Sequence, residues 1–177
     1  RDAIYNFKAD ALYISGKSSS EPTGNPAAYE AVFTEVEVDT EIGEVKLLKL
    51  VQLHDIGRAI NPMTVEGQLE GSILQGVGYT LTEEYSINKD TGVVESDNFT
   101  NYKIPSTLDL PEIEVILVEY PVPSGPFGAK SVGESGMVAI APAIGNAIYD
   151  AAGVRMTELP TTPERVLKAL KAKGAGE

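Results

Sequence analysis

The chain has 177 residues, 42% of them hydrophobic, and a mean hydropathy of −0.07, so it can bury one sizeable core and not two. Fourteen Lys and Arg against 26 Asp and Glu give a formal charge of −12, whose field repels phosphate backbones and anionic membrane surfaces and disfavours nucleic acid as a partner. No apolar run approaches the ~20 residues of a membrane span, no charged-then-apolar leader is visible, and zero cysteines exclude disulfides, thiolate metal sites and a cysteine nucleophile. A soluble protein is expected, and its single histidine, His54, excludes any site needing two on this chain. The sequence begins Arg1-Asp2-Ala3 without methionine, as a trimmed, cleaved or cloned fragment would, and a targeting signal would then have been lost.

Residues 1–15 place Ile4, Phe7, Ala11 and Leu12 at roughly helical spacing, although Tyr13 and Ile14 could equally begin a strand. Residues 16–25, GKSSSEPTGN, read as a loop, with Pro22 and Pro26 barring a helix. The stretch YEAVFTEVEVD at 29–39 alternates with period two and predicts a strand with room for one bulge. A turn through Gly43 and a second strand at 45–53, VKLLKLVQL, complete a β-hairpin spanning 29–54. The following HDIGRAINP reads as a loop braced by Asp55, Arg58 and Asn61 through local hydrogen bonds and an ion pair, with His54 a hydrogen-bonded structural residue. Val65, Leu69, Ile73, Leu74, Val77 and Leu81 then predict a helix from Pro62 or Met63 to Glu84, ending in a solvated acidic pair, Glu83 and Glu84. Its interior glycines, Gly67, Gly71, Gly76 and Gly78, each cost about 1 kcal/mol relative to Ala. Four of them call for close packing against a ligand or another element. Residues 88–94 predict a hairpin-type turn, 102–111 irregular chain, 113–120 a further strand, and 161–171 a short helix with a Thr cap and an early Pro163.

The remaining stretch, GPFGAKSVGESGMVAIAPAIGNAIYDAAG at 125–153, organises the chain. A loop punctuated by Gly125, Gly128, Gly133 and Gly136 carries Lys130, Ser131 and Glu134 into an apolar segment of helical length. Such glycines let a ligand approach the backbone, and a helix start offers unpaired N–H groups and the positive end of its dipole. From Met137, the series Ile140, Ala141, Ile144, Ala147, Ile148 and Ala151 fixes one helical face in a core and turns the loop outward. For Glu134, burial would raise the pKa, whereas a helix terminus and a cation such as Lys130 would lower it. Taken alone, a first-turn Glu more often only matches the dipole, and Gln68 would be a solvated helix position.

No internal repeat, P-loop, G-x-G-x-x-G or metal-ligand set is present. HDIGRAINPMTVEGQLEGSILQGVGYTLTEE, then NYKIPS, then GPFGAKSVGESGMVAIAPAIGNAIYDA together resemble the C-terminal part of the molybdenum-binding subunit of the xanthine dehydrogenase and aldehyde oxidase family. The agreement is in order, from about residue 32 to 170. It implies an α+β fold, a mixed sheet with the hairpin and packed helices, forming the C-terminal half of a molybdenum cofactor-binding domain. Residues 1–31 would be a lead-in segment and 32–177 the domain portion.

By position, Glu134 matches the family's active-site glutamate, the general base on a molybdenum-bound hydroxide or water. Gln68 matches the glutamine that hydrogen-bonds the pterin, where its neutral amide adds no charge to an anionic cofactor. Ala129, Lys130, Ser131, Val132 and Gly133 match the segment lying against the cofactor, and no metal ligand is expected from the protein. The resemblance further implies a molybdenum–molybdopterin cofactor, with a cytosine dinucleotide form as one option. Iron–sulfur clusters and FAD are expected on partner domains or subunits, the substrate is an N-heterocycle or aldehyde, and the location is cytoplasmic. Family subunits are several times longer, so the chain would work only with the remainder of the molybdenum subunit, an iron–sulfur subunit and a flavin subunit. The alternative is a non-catalytic assembly module that keeps the fold. Alone, the chain should self-associate or be poorly stable, because a face that normally packs on the rest of the subunit would be bare.

Overall fold

Alternating residues build the sheet from its longest strand outward. The computed structural model describes residues 16, 17, 19 and 24–174; the two readings of residues 1–15 lie outside them. Strands β1 (Glu30–Val38) and β2 (Val45–Asp55) pair antiparallel, with a bulge between Glu35 and Val36 where the sequence left room for one. Their turn is fixed by Asp39, whose Oδ1 accepts from Glu41 N at 2.8 Å, and by Gly43 at φ +78. On its other edge β2 pairs in parallel with β3 (Glu112–Val118), giving the order β1-β2-β3 and the expected mixed sheet. The parallel partner also moves the strand ends. β2 continues past Leu53 because His54 pairs with Leu117 and Asp55 with Val118. β3 stops at Val118 rather than Tyr120 because β2 has no further residue to offer, and Ile56 N closes on Val118 O at 3.0 Å.

The crossover between β2 and β3 carries helix α1 (Pro62–Leu81), N-capped by Asn61. It ends three residues before the predicted Glu84. Thr82 and Glu83 both fold their N–H groups back to Gly78 O at 2.9 Å. Of the acidic pair only Glu84 is a solvated end, exposed and paired with Arg165 at 2.9 Å; Glu83 is half-buried and accepts from Tyr102 Oη at 2.6 Å. The predicted turn at 88–94 is present, closed by an Ile87–Val94 bridge with Gly92 at φ +72.

Helix α2 (Ile140–Ala152) lies against β1 and α1, and helix α3 (Pro163–Gly174) closes the end of the core. One core contains Leu47, Leu50, Ile73, Val77, Ile140, Ile144, Ile148 and Val154. Of the expected α2 face, Ile140, Ile144 and Ile148 are buried and Ala141 and Ala147 half-buried, while Ala151, in the last turn, is exposed. The opposite sheet face leaves Phe33, Ile116 and Val118 exposed.

Candidate functional site

After β3, Pro126–Gly128 forms a 3-10 turn in which Phe127 takes φ +54, an uncommon value for a residue with a side chain. Lys130 N then donates to Ile56 O at 2.8 Å, docking the glycine loop beside the end of β2. The Lys130 side chain, 5% exposed, gives its ammonium to Asp55, 12% exposed, with the Tyr29 and Tyr120 rings each 5.8 Å away. Burial pushes the Asp55 carboxyl up. The Lys130 hydrogen bond, the Gly57 N–H and the Lys130 charge outweigh burial and hold the group below its ordinary value. The ion pair expected inside the HDIGRAINP loop is therefore made across 75 residues, and Arg58 has no ion pair among the described residues. Asp55 and Asn61 also make the local bonds expected of them, to Gly57 N and Thr64 N.

Beyond Lys130 the loop crosses the inward face of the sheet. Gln52 and His54, 0% and 1% exposed, occupy the same strand phase as Leu50 but meet this loop instead of the apolar core. Gln52 Nε2 donates to Gly136 O and, at 3.1 Å, to Glu30 Oε2. Glu30 Oε1 accepts from Ala139 N at 2.7 Å. His54 Nε2 lies 3.3 Å from Ser135 Oγ and 3.4 Å from Ser131 O, which gives His54 the structural role its sequence context suggested. Sequence reasoning missed Gln52 and Glu30. The available signal was a polar residue at an inward strand position, in phase with Leu50.

Glu134 opens a second 3-10 turn, Glu134–Met137, so the regular helix begins at Ile140 and not at Met137. The Glu134 side chain is exposed, and its carboxylate has no hydrogen-bond partner among the described residues. Gln68, also exposed, is one turn from Ser72, whose Oγ lies 2.9 Å from Gln68 O and 3.3 Å from Gly133 O. One hydroxyl thereby joins the Gln68 turn of α1 to the residue before Glu134. Gly136 packs on the same helix; a Cβ there would meet Leu69 at 2.8 Å and Ser72 at 3.2 Å. Between these anchors, the backbone N–H groups of residues 131–135 donate to no described group. A Cβ at Gly67, Gly71 or Gly133 would touch no described atom within 4 Å. Ser131 is exposed, and Val132 and Gly133 are half-buried. Two grooves, of about 510 and 340 Å³, are lined by other residues. Among the described residues no three His, Cys, Asp or Glu side chains group to hold a metal, and no helix is long and apolar enough to cross a membrane.

A parallel strand pair joined by α1, with a glycine loop laid over its polar end, defines an α+β unit. Residues 3–111 match the profile of the molybdopterin cofactor-binding domain, and the chain belongs to that family. The match begins inside the lead-in segment and stops before the glycine loop. Similarity extends past it. The xanthine dehydrogenase molybdenum-binding subunit of Escherichia coli O157:H7 is 37% identical over 173 residues, covering 98% of this chain and 23% of that protein. The crystal structure of the aldehyde oxidoreductase from Desulfovibrio desulfuricans ATCC 27774 superposes with a TM-score of 0.74 at 40% identity, over 80% of this chain and 15% of that one. Quinoline 2-oxidoreductase from Pseudomonas putida 86 gives 0.72 at 37% identity, over 77% and 18%. The chain thus spans less than a quarter of each of these relatives.

The open edge fits an anionic pterin cofactor. The neutral Gln68 amide, a run of undonated N–H groups and glycine faces without a Cβ offer hydrogen bonds and close approach beside the Glu134 carboxylate.

Proposed function

We propose that the chain forms one wall of the active site of a molybdenum hydroxylase of the xanthine dehydrogenase and aldehyde oxidase type, with Glu134 as general base and Gln68 as a hydrogen-bond partner of the pterin. One observation carries this reading: Ser72 ties the Gln68 turn to Gly133, so two exposed polar side chains distant in sequence share one edge beside undonated N–H groups. When bound, the cofactor would supply the activated oxygen and accept the electron pair. The chain's own contribution is to hold a proton acceptor at the Glu134 carboxylate, to orient the pterin through the Gln68 amide, and to line the cofactor with Lys130, Ser131, Val132 and Gly133. For Lys130 that lining falls to its backbone, since the side chain is buried and its ammonium faces Asp55.

The exposure of Glu134 supports a site completed elsewhere, because a general base works in a dry pocket and this chain does not enclose one. We assign that enclosure to the remainder of the molybdenum subunit. Electrons would leave through iron–sulfur clusters toward FAD on partner chains, in a cytoplasmic complex with the cytosine dinucleotide form of the cofactor as one option. The substrate class is an N-heterocycle or aldehyde, the range spanned by relatives named for xanthine, quinoline and aldehydes.

The test is Glu134→Gln in the complete enzyme. The variant is expected to keep its molybdenum and its assembly while turnover falls about 10²- to 10⁴-fold, the usual worth of a positioned base. Undiminished turnover overturns the assignment and leaves the non-catalytic assembly module. Gln68→Ala should instead lower the molybdenum retained after gel filtration.

A further inference from the structure

The buried polar cluster at the hairpin end is more than the fold needs. The inward face of β1 and β2 is apolar along Val36, Leu47 and Leu50, then turns polar at Gln52, His54 and Glu30. Burying such groups costs free energy unless each finds a partner, and an apolar set of similar shape would often be as stable. Hydrogen bonds add direction. Here they converge on the loop at residues 135, 136 and 139, just past Glu134.

The orientation of each group follows from its neighbours. Glu30 carboxylate and Gly136 carbonyl can only accept, so the Gln52 amide must turn its NH₂ to both and cannot be flipped. Gln52 Oε1 and His54 Nδ1 are both left buried without a hydrogen-bond partner among the described groups. With its proton on Nδ1, which lies 3.6 Å from Glu30 Oε2, the His54 ring faces the carboxylate with a donor and receives Ser135 Oγ–H at Nε2. The Glu134 side chain itself makes no bond to a described group, so its direction is set by the backbone that these contacts hold.

We propose that Glu30, Gln52 and His54 are positioning residues that act through Ser135, Gly136 and Ala139 to aim the Glu134 carboxylate. The proposal rests on the reading of Glu134 as the base. Displacing a reacting group by about 1 Å costs on the order of 100-fold in rate, so a strut far from substrate can govern kcat.

The experiment uses the complete enzyme and begins with Gln52→Leu, which keeps the shape of the side chain and removes its donor. Expected are full molybdenum content, KM within about twofold, kcat lower by about 10- to 100-fold, and faster amide hydrogen exchange at Ala139. Unchanged kcat with faster exchange would make the strut purely structural and overturn the proposal; so would a loss of activity that only tracks lost molybdenum. Ser135 supplies a second arm that leaves the strands untouched. Ser135→Thr keeps the hydroxyl for His54 and should retain most turnover, whereas Ser135→Ala should not; equal loss in both overturns the proposal. If Glu134→Gln turns over normally, it is the reading of Glu134 that fails. The aiming role then falls with it, whatever Ala139 exchange shows in Glu30→Leu, whereas loss of turnover in Glu134→Gln with unchanged kcat in Gln52→Leu overturns the strut alone.

Discussion

The molecule has a closed region and an open one, and the same residue types serve opposite ends in each. The Asp55 carboxylate is answered from within the chain: Lys130 reaches across from the glycine loop, and two tyrosine rings flank the pair. Around Glu134, among the described residues, neither the carboxylate nor the N–H groups of residues 131–135 find a partner. The glycines of α1 divide the same way. A Cβ at Gly76 would meet Ile140 at 2.6 Å and one at Gly78 would meet Pro105 at 2.9 Å, whereas Gly67 and Gly71 face open space. The first pair lets two elements of this chain approach; the second pair meets no described group. A helix interior tolerates the cost of about 1 kcal/mol per glycine where a close approach returns more.

The comparison breaks most visibly at the ion pair. Lys130→Met should destabilise the chain by about 3 kcal/mol, because it leaves the largely buried Asp55 carboxylate without its cation. Its pH dependence has a fixed sign. The folded-state pKa of Asp55 is lowered, so the stabilisation is complete above the ordinary carboxylate value, about pH 4, and is lost as pH falls through the depressed folded value. Thermal unfolding midpoints of parent and variant should differ by a constant amount between about pH 5 and 7 and converge below about pH 4. A gap that instead widened in acid would show that Asp55 is not held low by Lys130.

A smaller effect is expected from Gly76→Val. Its branched side chain would be forced against three Ile140 carbons that lie within 2.8 Å of the new Cβ, for a net loss of about 2 kcal/mol in chemical denaturation. The smallest effect has the opposite sign. Gly71→Ala meets nothing within 4 Å and should stabilise the chain by about 0.5 to 1 kcal/mol through helix propensity alone. In the complete enzyme the same change should lower cofactor retention if the open face receives the pterin. Equal stabilisation in both settings would remove Gly71 from the site.

Much of the architecture is legible in local pattern. Period-two alternation marks β1 and β2, Asp39 and Gly43 mark their turn, and the spacing of Ile140, Ile144 and Ile148 marks the buried face of α2. The errors sit at the ends, where the decisive bonds are not local. β3 stops when β2 runs out of partners, α1 stops where Glu83 turns back to Tyr102, and α2 starts late because a 3-10 turn precedes it. The long stretches shared with a known family placed Glu134, Gln68 and the glycine loop in sequence, but not the side chains that hold them.

What the sequence by itself determined are the quantities carried by neighbouring residues: strand and helix identity, the hairpin, the outward-turned loop and the membership of a cofactor-binding family. What only the tertiary structure decided is which distant groups meet. The parallel pairing of β2 with β3 sets Asp55 under Lys130, and a turn of polarity within one strand sets Gln52 under Gly136. No periodicity encodes those encounters, because they arise when separate elements pack on one core and the buried polar groups must then find partners wherever the chain brings them.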